Sequence, residues 1–292
     1  MTAIAATTAR PAGAPIARRL TRLLERFALP VFTTLAVSYL LIPIAIMLVF
    51  SFNEPAGKYN FIWNQPSTYG WLHPLQWPGL PDAIGTTLVV AAASTLVATT
   101  LGTLMALSLT RYRFRGRGVL NGLIFLPMAT PEIVMGASLL TLFVSSALPP
   151  LAGVVPQGIF FPLGLPTILI AHIMFNISYV VVTVKARVAG FDRHLEEAAQ
   201  DLGANEWATF WRVTFPLIFP GILAAGLLAF SLSIDDFVIT SFVSGTTNTF
   251  PIWTWSIIKN ALPVQINVVG SIVFLSAVGF VVVSTFLQRR GR

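Results

Sequence analysis

The chain has 292 residues, of which 55% are apolar and only 10% charged, with a mean hydropathy of +0.78 and a formal net charge of +7. Such usage lies far outside that of soluble domains and points to a polytopic membrane protein. Cysteine is absent, which excludes disulfides, thiolate catalysis and cysteine-ligated metal sites.

The first 27 residues are rich in Ala, Thr and Pro and then basic, like the start of a signal peptide. The apolar run that follows is about twenty residues long and ends at SFNEP with no small-residue cleavage site, so a retained first span after a flexible tail (1–29) is expected. Apolar runs long enough to cross a bilayer occupy roughly 30–51, 83–110, 119–146, 166–185, 214–234 and 268–287. The expected fold is all-α, with six transmembrane helices within 30–288 and a short tail at 289–292. The connection from Ser51 to Asp82 carries Trp63, Trp71 and Trp77 among prolines and glycines, as an ordered interfacial segment with aromatic anchors does. In the third span, Pro127 and Pro131 predict a kink that frees carbonyls towards a cavity.

Sixteen of the eighteen Lys and Arg fall in the N-terminal tail, the turn from Arg111 to Gly118, the stretch around Lys185–Arg212 and the C-terminal tail. Only Lys58 and Lys259 fall on the opposite side. The positive-inside rule therefore predicts a multi-pass membrane protein with both termini cytoplasmic. The basic balance becomes a signal of topology in a lipid bilayer, and no nucleic-acid partner is expected.

No stretch fits the phosphate-binding pattern G-x-x-x-x-G-K-[ST], and the three lysines, Lys58, Lys185 and Lys259, lack its glycine spacing. His73, His172 and His194 lie in three different segments, and neither H-E-x-x-H nor a paired-carboxylate spacing is present. An enzyme active site is not expected, and neither is a catalytic or metal-binding residue. His172 stands one helical turn before Asn176 in the fourth span, which suits either an interior hydrogen-bonded pair joining helices or a place on a solute path.

The stretch GFDRHLEEAAQDLGANEWATFWRVTFP, 190–216, holds five of the eleven acidic residues. Gly190 ends the fourth span, and Asp192 is placed to cap a short helix from Arg193 to Leu202. In that helix Leu195, Ala198, Ala199 and Leu202 share one apolar face. Gly203 supplies a left-handed turn, and Asn205 caps a second short helix before Pro216 begins the fifth span. An acidic rim is repelled by anionic headgroups, so a docking surface for a cytoplasmic protein fits better than a membrane-insertion surface.

These residues carry a resemblance. Glu197-Ala198-Ala199, three residues, Gly203, nine residues and Val213-Thr214-Phe215-Pro216 are similar to the EAA loop of ATP-binding-cassette importer permeases, E-A-A, three residues, G, nine residues, I-x-L-P. Valine and phenylalanine replace the usual isoleucine and leucine. RYRFRGRG, LPMATPEIVMGASLL, VVVTVKARVAGFD and SLSIDDFVITSFVSG extend the likeness over roughly 30–288, where the chain resembles the second membrane subunit of spermidine/putrescine permeases.

The resemblance implies a type I importer (MetI-like) fold. It also implies a coupling loop at 190–213 that seats on an ATPase subunit, with Glu196, Glu197, Ala198, Ala199, Asp201, Leu202, Gly203 and Pro216 as its residues. Partners implied are an ATPase homodimer, a second homologous permease and an extracytoplasmic solute-binding protein. ATP and Mg belong to the ATPase, and no cofactor is expected in this chain.

A polyamine needs carboxylates for its ammonium groups and aromatic faces for its methylenes. Candidates for the path are Asp235 and Asp236 at the outer end of the fifth span and Glu132 after Pro131 in the third, an ionisable group at a depth where it is costly. Each has a plainer alternative: a helix cap for the aspartates, and a helix–helix or partner-subunit bond for Glu132. Rivals are an importer for another organic cation or amino compound, or more remotely for ferric iron or an anion. Outside that class stand an ion-coupled secondary transporter, which predicts intramembrane ion ligands and inverted repeats, and a non-transporting scaffold.

Overall fold

The computed structural model describes residues 15–146 and 162–290. Arg10 and Arg292, counted among the inside charges, and the first half of the expected N-terminal tail fall outside them. In chain order the elements are α1 (Pro15–Phe50), β1 (Asn53–Glu54), β2 (Gln65–Pro66), α2 (Tyr69–Leu72), α3 (Leu80–Arg111), α4 (Arg117–Ala129), α5 (Glu132–Ser146), α6 (Leu165–Ala189), α7 (His194–Asp201) and α8 (Glu206–Thr209). A π-helical turn, Phe210–Thr214, leads into α9 (Phe215–Asp235), followed by α10 (Val238–Val243), α11 (Phe250–Ile258) and α12 (Val264–Arg290). They form two compact units, Met1–Pro74 with Leu262–Arg292, and Leu75–Ala261.

In the first unit α1 packs beside α12. Met47 Sδ would lie 2.7 Å from a Cβ at Gly270, so only glycine allows that approach. No residue of Phe27–Phe50 is buried by the chain, as suits a helix whose apolar surface is met by its surroundings. After α1 the backbone leaves the helical ladder and side-chain amides take over its hydrogen bonds. Asn53 Nδ2 donates to Asn60 Oδ1 (2.6 Å) and to the Ile62 carbonyl (2.9 Å), while Asn60 Nδ2 donates to the Phe50 carbonyl (2.9 Å). Trp71 stacks on Phe52 at 5.2 Å and Trp63 stands edge-on to Phe50 at 6.2 Å, so this part of the tryptophan-bearing connection is ordered.

In the second unit α3, α6 and α9 pack together. One apolar cluster holds Ala106, Leu109, Val180, Val184, Ile218 and Ala225, and another holds Val90, Leu139, Phe143, Ile168 and Ile239. Small residues set the helix separation: a Cβ on Gly102 of α3 would stand 2.6 Å from Val180 Cγ1. In the same way α5 meets α10 where Phe242 occupies the space a Cβ of Gly136 would need, 2.5 Å away.

Two expectations are corrected. The third span is more than kinked, because α4 and α5 meet at 106° with Thr130 extended (φ −79°, ψ 131°). Pro131 forbids helical backbone to the residue before it and offers no N–H, so the helix stops and restarts. The second short helix of the 190–216 stretch is likewise not separate, since α8, the π-turn and α9 form one run, Glu206–Asp235. Pro216 explains the widened turn: its ring would clash with the carbonyl of Arg212 in a regular helix, and one wide turn relieves this. Four described helices are long and apolar enough to cross a membrane, five if the bent pair is one crossing, and the apolar part of α12, Val264–Gly279, is shorter.

Gly102→Ala should cost about 1–3 kcal/mol by overpacking the α3–α6 contact, whereas Gly122→Ala, with open space around its Cβ, should not. Thermal unfolding of the detergent-purified protein checks this, and equal midpoints for the two variants would refute the tight contact.

Candidate functional site

The acidic stretch forms between the ends of α6 and α9. Asp192 does not sit at the cap position itself, which Arg193 occupies, but its Oδ1 accepts the His194 N–H (3.0 Å) and pairs with His194 Nδ1 (2.6 Å). That hydrogen bond raises the His194 pKa above the usual imidazole value and lowers that of Asp192. At the other end Gly203 takes φ +89° with nothing near its Cβ, so its requirement is conformational, and Ala204 N–H closes on the Ala199 carbonyl (3.0 Å). Asn205 Oδ1 then accepts the Ala208 N–H (2.8 Å), which starts α8 as the cap pattern predicts.

No residue of α7 is buried. Glu197, Ala198 and Asp201 are exposed, Ala199 is half-buried, and beside them Leu202 and Trp207 are 90% and 72% exposed. A loop presenting a large leucine and a tryptophan at its surface, with acids around them, is a surface that lacks its cover. Pro216 lies behind it, past the π-turn, on a ladder of rings running from Trp207 through Trp211 and Phe215 to Phe219. Glu196 points the other way. Its Oε1 meets Arg111 Nη2 at the end of α3 and Thr214 Oγ1 at the end of the π-turn.

The second constellation is where α9 ends. Asp235, its last residue, is exposed, whereas the Asp236 side chain is 7% exposed. Asp236 caps α10: Oδ2 accepts the Thr240 N–H (2.8 Å) and O–H (2.5 Å), and Oδ1 accepts the Ile239 N–H (3.4 Å). The two acids thus have different surroundings, one open and one committed to the backbone.

Buried His172 on α6 completes this seam, with Nε2 2.8 Å from Thr240 Oγ1 and 3.3 Å from Asp236 Oδ2, and Nδ1 2.6 Å from Ser233 Oγ. Ser233 continues to Ser94 Oγ on α3 at 3.1 Å. With the carboxylate ionised, the Thr240 hydroxyl spends its proton on it and accepts Nε2–H, so Nδ1 accepts the Ser233 O–H. One imidazole therefore ties α6, α9 and α10 to α3. The expected His172–Asn176 pair does not form: Asn176 is fully buried and neither amide atom has a partner among the described residues. Ser94 and Thr240 carry no sequence signal, being polar residues like many others; an imidazole at membrane depth is the clue that partners must exist.

Glu132 is exposed and is the first residue of α5, directly after the 106° break. The structure thus sets Glu132 and the aspartates on separate elements, each at an interruption of a helix.

A family model described as "Binding-protein-dependent transport system inner membrane component" matches residues 98–290. The chain is similar to the spermidine/putrescine transport system permease protein PotC of Escherichia coli K12, 35% identical over 259 residues, covering 88% of this chain and 92% of the relative. It is 34% identical to that of Haemophilus influenzae, covering 89% and 95%. The putrescine transport system permease protein PotI of Escherichia coli K12 is 36% identical over 251 residues, 85% of each chain. Among solved structures, a bacterial ABC transporter involved in import of the acidic polysaccharide alginate superposes with a TM-score of 0.68 at 18% identity, over 93% of this chain and 99% of that one. The alginate transporter in complex with an alginate-bound periplasmic protein gives 0.67, over 93% and 98%. These two share the fold.

Asp236→Ala should destabilise the protein by about 0.5–2 kcal/mol through loss of a helix cap, while exposed Asp235→Ala should stay within about 0.5 kcal/mol. Thermal unfolding of the two variants side by side decides it; equal losses would refute their division of roles.

Proposed function

This chain belongs to the binding-protein-dependent transport system inner membrane components, and from that premise we propose that it moves polyamines into the cytoplasm as one half of a membrane path. It is a multi-pass permease subunit of an ATP-binding-cassette importer. The observation that carries the choice of solute is the identity of about a third, over nearly the whole chain, to permeases named for spermidine and putrescine. Exposed carboxylates at helix interruptions, Asp235 and Glu132, suit a cation carrying several ammonium groups. Asp236, being spent as a cap, supports the path by holding α10 in place.

The chain crosses the membrane six times, with both termini and the loop of residues 190–213 in the cytoplasm. A second homologous permease lines the other side of the path. An ATPase pair, which binds ATP and Mg, seats on Glu197, Ala198, Asp201 and Leu202 below, and an extracytoplasmic solute-binding protein delivers the cargo above. Closure of the ATPases on ATP pushes α7; because α8, the π-turn and α9 are continuous, the push reaches the Asp235 end of α9 and opens the path outward, and hydrolysis returns it. Another organic cation is the rival solute, since selection rests largely with the binding protein.

ATP hydrolysis by the purified complex in nanodiscs, with its binding protein, is to be measured with spermidine, putrescine, an amino acid and a ferric chelate in turn. Stimulation by a polyamine, weakened in Asp235→Asn, is expected; stimulation only by an uncharged or anionic solute overturns the polyamine assignment and leaves the importer. Separately, Glu197→Lys should lose the ATPase subunit in a pull-down. Full recovery with normal transport would remove Glu197 from the dock.

A further inference from the structure

Resting on the reading of α7 as the segment the ATPase moves, we propose that α3 is a second lever: Glu196 and Arg193 of the coupling loop grip its cytoplasmic end, so that α7 and α3 move as one body. Chain continuity joins the loop only to α6 and α9. The link to α3 joins positions 83 and 85 residues apart and is made by side chains of the loop.

The grip is reciprocal. The loop gives a cation to α3, since Arg193 Nη2 donates to the Thr110 carbonyl (3.2 Å). That carbonyl is one of the last four of the helix, which have no partner in the helical ladder and carry its negative pole. In return α3 gives a cation to the loop, since Arg111 Nη2 donates to Glu196 Oε1. The pair is half-sheltered, with side-chain exposures of 28% and 17%, so solvent and salt screen it less than an open surface pair. The same carboxylate oxygen accepts the hydroxyl of fully buried Thr214. One carboxylate is therefore the node at which α7, α3 and the start of α9 meet.

What α3 does with that displacement follows from its far contacts. With 32 residues it is about 48 Å long at the usual rise. Partway along it, Ser94 bonds Ser233 in the His172 seam. Near its start Thr87 Oγ1 accepts the Phe250 N–H (2.7 Å) and the Pro78 carbonyl accepts Trp253 Nε1–H (3.1 Å), both from α11. A push at Arg111 thus reaches α11 directly and enters the seam at Ser233 near the far end of α9, without travelling along α9 from the coupling loop. Glu196 acts on transport as a positioning residue, distinct from its exposed neighbour Glu197.

Two measurements on the assembled complex test this. In proteoliposomes, Glu196→Ala and Arg111→Ala should retain the ATPase subunit while solute imported per ATP hydrolysed falls about fivefold or more, the scale of typical coupling free energies. The double reversal Arg111→Glu/Glu196→Arg should restore most of that ratio. A wild-type ratio in the single variants overturns the proposal, and so does loss of the ATPase subunit in Glu196→Ala, which would make Glu196 a docking residue. Because the chain has no native cysteine, spin labels at Tyr112→Cys and Gln200→Cys report the α3–α7 distance with both gripping residues intact. That distance should be the same in nucleotide-free and ATP-trapped complexes, and a shift overturns the rigid unit. The label measurement needs no solute, so a failed polyamine assignment leaves it readable.

Discussion

A polypeptide in hydrocarbon has no water to bond its backbone, so wherever a helix is interrupted the chain must supply substitute partners or open onto a cavity. In this protein that constraint organises the ionisable groups. Glu132 stands where α4 gives way to α5, beside amides that a helix start leaves unpaired. Asp235 and Asp236 stand where α9 gives way to α10, and Asp236 fills the role of the missing ladder partner for Ile239 and Thr240. Each break is a place where a charge is tolerable because the backbone there is polar already. The proposed cation path and the fold therefore have one cause.

At the acidic loop the interruption is different in kind. Pro216 widens the helix without stopping it, so the chain stays mechanically continuous from Glu206 to Asp235 while its register shifts. A regular helix would place Thr214 differently with respect to α7; the wide turn carries its hydroxyl to Glu196. The surface that remains open presents Leu202 and Trp207 beside Glu197 and Asp201, with Trp207 also edge-on to Trp211.

Much of this is legible in the sequence because it depends on neighbours along the chain. Apolar runs fell on the four described helices, five with the bent pair, that are long and apolar enough to cross a membrane, and Gly203 and Asn205 marked the turn and the cap that form, since αL backbone and amide capping are local physics. Pro127 and Pro131 signalled an interruption but not its 106° magnitude, which is set by what α5 packs against once the helix has stopped. The π-turn escaped notice because VTFP reads equally well as the start of a new span. The His172 seam and the Glu196–Arg111 pair join positions 61 to 139 residues apart, and no periodicity reports such a distance. The acidic pair was ambiguous for a related reason: adjacent residues at a helix end point in different directions, and only the course of α10 decides which one becomes the cap.

The bareness of α1 has a consequence for how such a chain can drift. A helix buried among its neighbours is held to particular shapes, as at Gly102 against Val180, where one methyl is too many. Along Phe27–Phe50 none of the residues is enclosed, and the close approach there is that of Met47 to Gly270. A phenylalanine there can become a leucine, or a valine an isoleucine, so long as the surface stays oily. Substitutions should therefore accumulate unevenly, freely along the first helix and sparingly along the seam of α3, α6 and α9. A library of random variants under selection for uptake would separate the two as a permissive stripe and an intolerant one.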